Sequence, residues 1–177
     1  MPGKDVDLAV IGAGLSGCAL VAALRRRDWQ GTIQIFEAGR GPGGRCATRR
    51  RREDPLWRLD HGSPTLSFHA EPSGPLFDLM TSLRQRGVVR VDDDPVVGLD
   101  HHGAAVAAPC HPLLQGPRWR GVPTMASVAE TLLCDGADGL DVCFGERIQS
   151  LSKVDGHWVL AGGVHAAKLV LSGTLLA

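Results

Sequence analysis

Residues 6–11 form a short, mostly apolar run, long enough for a buried strand and too short for a helix. Beyond Gly12, the residues Leu15, Cys18, Ala19 and Ala22 recur at helical spacing. That stretch closes on Arg25, Arg26 and Arg27, cations suited to a helix C-terminus. Residues 32–36 alternate as a strand does and end at Glu37, so the first 37 residues predict strand, helix, strand. Residues 39–45, with four glycines and a proline, are not expected to be regular structure. Pro75 opens a helix with Leu76, Leu79, Met80 and Leu83 on one face, stopped by Gly87. Residues 88–91 and 96–99 read as strands parted by an acidic turn, and residues 100–103 make a second turn. Thr124 is expected to cap a helix whose apolar stripe is Met125, Val128, Ala129, Leu132 and Leu133. Ser127 and Glu130 sit there at capping-box spacing, one turn late. Residues 140–144 read as a strand, 147–153 and 157–161 as a hairpin about Asp155 and Gly156, and 168–171 as a last strand. The pattern is α/β, a parallel sheet followed by a β-meander.

Gly12, Gly14 and Gly17 follow the first strand directly and open the first helix, the context that a dinucleotide-binding fingerprint requires. Gly12 allows the tight turn, Gly14 lets backbone approach a pyrophosphate, and Gly17 lets helix and strand pack closely. The helix start at Leu15 and Ser16 offers free N–H groups to phosphate. Ser16 is no hydrolase nucleophile, because a G-x-S-x-G elbow needs glycine where Cys18 stands. Glu37 lies 20 residues past Gly17, where a carboxylate accepts hydrogen bonds from a ribose. A tight turn without any ligand would use the same glycines. The second cluster, Gly43, Gly44 and Arg45, follows Glu37 and Ala38 closely enough to pass back over the same ligand. Arg45 then neutralises phosphate, and this moves the reading from a nicotinamide cofactor to FAD. A surface loop is the plain alternative for that cluster.

Composition narrows the partners. The 177 residues are 44% hydrophobic and 21% charged, which excludes wholesale disorder. Nineteen Lys and Arg balance nineteen Asp and Glu, which argues against a nucleic-acid or anionic-membrane binder. No apolar run reaches the ~20 residues of a membrane span, and the first residues show no secretory h-region. Five cysteines without a CxxC pair read as reduced thiols, so the expected location is cytoplasmic. The adjacent Cys110 and His111 lack a spaced second pair, so no metal site is expected. The run of arginines from 49 to 52 reads as a solvated loop.

The residues 12–37, then 43–49 (Gly-Gly-Arg-Cys-Ala-Thr-Arg), then Leu59, Asp60, His61 and Gly62, resemble the renalase-like branch of the FAD-dependent amine oxidase superfamily. Weaker similarity continues through residues 121–125, 146–148 and 168–172. The resemblance implies a Rossmann-like FAD-binding domain and a flavoprotein that oxidises a small reduced substrate by hydride transfer. In that branch the substrates are isomers of reduced nicotinamide dinucleotides. It further implies that His61 and Gly62 lie near the flavin, with a hydrogen-bonded structural histidine as the plain alternative for His61, and that the backbone at Ile148, on a strand, reaches the adenine. Two departures stand out. Ser63, Pro64 and Thr65 replace the family's Ala-Gln-aromatic, and the family continues well beyond residue 177.

The expected division is therefore an FAD-binding βαβ unit with its glycine loops (1–65), a partial substrate-domain insertion (66–120), and a return to the FAD-binding domain (121–177). The chain reads as truncated before the family's C-terminal half, hence unable to turn over alone and poorly soluble. No catalytic base is identified. Two other readings stand beside the oxidoreductase: a non-catalytic FAD or adenine-dinucleotide module, and an NAD(P)-dependent dehydrogenase. Replacing Glu37 is expected to affect ligand binding and to leave folding nearly unchanged.

Overall fold

A computed structural model describes residues 5–54, 56–107 and 115–173. Cys110 and His111 lie outside the described residues. In chain order the first elements are β1 (Asp5–Ile11), α1 (Leu15–Arg25), β2 (Ile33–Glu37), β3 (Thr48–Arg50), β4 (Arg58–Asp60) and β5 (Leu66–Ser67). Then come α2 (Gly74–Gln85), β6 (Val89–Val91), β7 (Val97–Leu99), β8 (Ala105–Ala107), β9 (Arg118–Gly121) and α3 (Ala126–Asp135). The last are β10 (Leu140–Phe144), β11 (Ser152–Val154), β12 (His157–Leu160) and β13 (Val164–Leu171).

The main sheet has the order β10-β2-β1-β13-β12-β11. Its first four strands are parallel, and β12 and β11 complete it as an antiparallel meander. This is a Rossmann-like α/β fold. β1 is central and covered on both faces, which explains its nearly continuous apolar sequence. Leu8 and Val10 pack with Ile33 and Ile35 against Cys18, Val21 and Ala22 of α1 and Val128, Ala129 and Leu132 of α3. Ala9, Ile11 and Phe36 join Leu160, Val164, Ala166 and Ile148 in a second cluster. A smaller sheet, β5-β9-β6, carries α2 through Met80, Leu83, Val89 and Trp119.

Several sequence expectations shift. Gly44–Cys46 forms one 3-10 turn inside the glycine-rich loop. The helix opened by Pro75 buries Met80 and Leu83, while Leu76 stays exposed because only its C-terminal half meets the small sheet. Gly87, at φ +71°, ends it as expected, with Gly87 N–H donating to Arg84 and Val88 N–H to Leu83, a Schellman pattern. β5, β8 and β9 carry no strong sequence signal, being two to four residues long with polar neighbours. β13 starts at Val164, four residues before the expected start, because Val164 and Ala166 pair with β12. Among the described residues no helix is long and apolar enough to cross a membrane.

Candidate functional site

The chain leaves β1 through Gly12, whose φ of +104° few other residues tolerate. Gly12 N–H donates to the Phe36 carbonyl at 2.8 Å, which ties the turn between β1 and α1 to the end of β2. Gly17 lies on the facing side of α1. A Cβ there would stand 2.2 Å from the Gly12 oxygen and 2.7 Å from Ser172 Oγ, and Ser172 Oγ itself donates to Gly12 at 2.8 Å. Packing therefore demands glycine at 12 and 17. Gly14 differs. Its φ is −70° and ψ 176°, which any residue adopts, and among the described residues no atom beyond its chain neighbours lies within 4 Å of where its Cβ would be. Beside this open space α1 begins with no side-chain cap and no acid in its first turn. The amides of Leu15, Ser16 and Gly17 have no intrahelical acceptor and carry the positive end of the helix dipole.

The second glycine loop folds onto the first. Gly43 N–H donates to the Ala13 carbonyl at 2.8 Å, and Gly14 and Gly43 form a parallel bridge. Gly43 (φ +119°) and Gly44 (φ +55°) hold left-handed conformations, and a Cβ on Gly44 would sit 3.2 Å from Gly14 Cα. The Arg45 side chain is exposed, and its carbonyl accepts Ser63 N–H at 2.7 Å. Gly62 abuts that carbonyl so closely that a Cβ would lie 1.9 Å from it. His61 beside it is exposed.

Glu37 does more than the sequence suggests. Its Oε2 accepts Ala13 N–H at 2.8 Å and its Oε1 accepts Gly39 N–H at 2.6 Å. One carboxylate thus ties the first glycine turn to the loop after β2, with exposed Ala38 between the bonds. The expectation that Glu37 is dispensable for folding is corrected on this ground. The Glu37 and Gly39 carbonyls also accept the N–H groups of Glu146 and Gly145, at 3.0 and 2.8 Å. Residues 146–148 are irregular and not a strand, and the Ile148 side chain is buried in the second core cluster. The Ile148 side chain therefore packs against inner strands of the main sheet, whereas Gly12, Gly14, Glu37 and Gly43 come together at the C-terminal ends of β1 and β2. In an open parallel sheet that is where ligands bind, beside the strand at which the order reverses.

Three neighbours lie in segments that the sequence singled out, but with roles that it did not reveal. Ser172 braces Gly12 from 160 positions away. Asp60 and Thr48 cap α3 across space: Met125 N–H donates to the Asp60 carboxylate at 3.1 and 3.2 Å, and Ala126 N–H to Thr48 Oγ1 at 3.2 Å. Thr124 does not cap this helix, since its hydroxyl lies 3.3 Å from Ser127 Oγ. Asp60 is 65 residues from Met125, so no local pattern announces it. The arginine run is half strand: Arg50 pairs with Glu130 at 2.6 Å, and Arg51 stacks 4.4 Å from the Trp57 ring centre.

The Cys18 thiol donates to the Ala13 carbonyl at 3.3 Å. Burial first, and the Glu37 carboxylate second, push its pKa up to about 12, so beneath the glycine turn it is an uncharged packing group. Among the described residues no group of three or more His, Cys, Asp or Glu could hold a metal ion.

The family model for the NAD(P)-binding Rossmann-like domain matches residues 10–83. No curated protein matches the chain significantly in sequence. Putrescine oxidase bound to putrescine is similar in structure, with a TM-score of 0.62 at 14% identity over 96% of this chain and 58% of its own. A protein from Exiguobacterium sp. 255-15 designated a protoporphyrinogen oxidase gives 0.64 at 14% identity, over 98% and 60%. RAB GDI from Plasmodium falciparum gives 0.59 at 9% identity, over 96% and 65%. The chain thus spans about three fifths of these structures, and at such identities what they share with it is the fold.

Proposed function

We propose that this chain is the dinucleotide-binding part of an FAD-dependent oxidoreductase. The observation that carries the reading is Gly14. Neither its backbone angles nor its neighbours require glycine, yet it faces open space beside an uncapped helix start and against a second glycine loop. A pyrophosphate fits that cradle: backbone at Gly14 approaches it, and the first amides of α1 donate to it. Gly43 and Gly44 close over it and Arg45 supplies a cation, the feature that favours FAD over a nicotinamide cofactor. Glu37 keeps unused lone pairs for ribose hydroxyls while it holds the loop, since a carboxylate accepts about four hydrogen bonds. The flavin supplies the hydride chemistry, and these residues bind and orient it.

The finer reading is a renalase-like enzyme whose substrate is a reduced nicotinamide dinucleotide isomer or another small reduced molecule. A further segment, corresponding to the two fifths of putrescine oxidase that this chain does not span, completes the substrate pocket. A second reading is a dinucleotide-holding module without turnover, which the same glycine turn and uncapped helix start would serve equally. Equilibrium binding of FAD, NAD and NADP tests the cofactor, and tighter binding of either nicotinamide nucleotide overturns the flavoprotein reading. Flavin reduction by the nicotinamide isomers, with and without the C-terminal part of a renalase-like protein added, tests turnover. No reduction in either arm favours the module. Reduction by the chain alone, unchanged by the addition, overturns the need for a further segment.

A further inference from the structure

The glycine loop and the His61-Gly62 turn are two ends of one short hairpin. The loop at 43–47 runs into β3, and β4 runs into the turn. Thr48 and Asp60 are register partners at the end of this hairpin nearest both. There Thr48 Oγ1 donates to Asp60 Oδ1 at 2.6 Å, and the pair takes the first amides of α3. On the far side of the same turn, Ser63 N–H and the space left by Gly62 hold the Arg45 carbonyl. Among the described residues the hairpin's other side-chain tie to α3 is the Arg50–Glu130 pair, whose side chains are 50% and 39% exposed, a geometry that restrains weakly. A carboxylate accepting backbone N–H groups at a helix start is both charge-assisted and aligned with the dipole.

We infer that Asp60 is a positioning residue for the dinucleotide site: it sets the height of the Gly43–Arg45 loop over Gly14 by anchoring to α3 the hairpin that carries the loop at one end and, at the other, the turn that holds the Arg45 carbonyl. The role of that loop in binding rests on the flavoprotein reading, whereas the anchoring does not. A cap that served the helix alone would stabilise α3 without changing the loop. An anchor must change it. Thr48 acts with Asp60, because its hydroxyl both orients the carboxylate and accepts Ala126 N–H.

The test compares Asp60→Ala, Asp60→Asn and Thr48→Val with Leu132→Val, a core change in the same helix that touches neither loop. All are measured well below their unfolding transitions. Amide hydrogen exchange of the ligand-free chain is read at Cys46, Ala47 and Ser63, whose N–H groups bond Gly43, Gly44 and Arg45. Asp60→Ala should speed exchange at these three amides about tenfold or more, while Leu132→Val leaves them unchanged. Asp60→Asn keeps one acceptor and should restore most of the protection. FAD affinity should follow the same order, with Asp60→Ala weaker by about tenfold. Equal exchange in Asp60→Ala and Leu132→Val would reduce Asp60 to a helix cap and overturn the inference. If the three amides loosen but even the unaltered chain binds no FAD, the anchoring stands and the flavoprotein reading falls. If Asp60→Ala does not fold, exchange in Asp60→Asn and Thr48→Val decides, and no change in either overturns the inference.

Discussion

Around Gly12, Gly14 and Gly43 the chain meets itself backbone to backbone, whereas around α2 and the β5-β9-β6 sheet it meets itself through side chains that leave much uncovered. In the first region a single methyl group at 17 or 62 would collide with a carbonyl. In the second, Phe77 is 54% exposed, Arg84 lies 5.7 Å from the ring centre of Trp119, and a cavity of about 560 Å³ opens between Phe77, Met80, Arg84 and Trp119. Asp92 is buried beside Arg120 at 3.1 Å without hydrogen-bond alignment, and Trp119 Nε1 is buried without an acceptor among the described residues. The nearby hairpin β7–β8 exposes Val97, Leu99 and Val106. The two regions therefore respond to different changes: the first to a single atom in the backbone's path, the second to the kind of surface it presents.

The sharpest break of this comparison puts the same substitution at two glycines. Gly17→Ala should cost about 3 kcal/mol or more in urea unfolding, because backbone must move to admit the methyl. Gly14→Ala should leave stability within about 0.5 kcal/mol and weaken FAD binding, since its methyl fills only the open cradle. Equal destabilisation by both would show that Gly14 is structural too. Next in size, Glu37→Ala should weaken FAD binding by roughly 10- to 150-fold. It should also lower stability by about 1 kcal/mol, because Ala13 and Gly39 lose their acceptor. Chemical denaturation of the ligand-free variant separates the two effects.

Cys18 gives a pH signature for the first region. An unfolded thiol ionises near 9, whereas the folded one keeps its proton up to about 12. Its contribution is complete below pH 9. Above that the unfolded state binds fewer protons, so stability falls by about 1.4 kcal/mol per pH unit until the folded thiol also ionises. Cys18→Ala should flatten that alkaline fall, which unfolding curves at pH 8 and 10 will show. The smallest effect belongs to the second region. Phe77→Ser should change stability by less than about 0.5 kcal/mol and reduce light scattering in concentrated solution. A larger loss of stability would mean that Phe77 is packed after all.

The same contrast explains what the sequence disclosed. Gly12, Gly17 and Gly43 were legible because only glycine meets their angles or contacts, so residue type and geometry are nearly equivalent there. β1, α1 and β2 were legible through period and length. The cap on α3 was not, because Asp60 and Thr48 come from a distant hairpin while Thr124 offered a local pattern that the fold ignores. Residues 146–148 were expected as a strand through the family resemblance; they are irregular, and the Ile148 side chain lies in the core. β5 and β9 form because each supplies the other's hydrogen bonds, and Arg118, Trp119 and Arg120 reveal that pairing only once the partner is in place.

β1 lies between β2, which follows within a few dozen residues, and β13, whose Leu171 pairs with Ile11. On a ribosome making roughly 5–20 residues per second, the β13 side of β1 waits about 8–32 s for its partner. Throughout that interval an apolar strand edge is held open, which makes the nascent chain a natural client for holding chaperones. Ser172, which braces Gly12, arrives later still. The glycine turn can therefore be rigid only once nearly the whole described chain has been synthesised, and a nucleotide added during translation has no finished site to nucleate around.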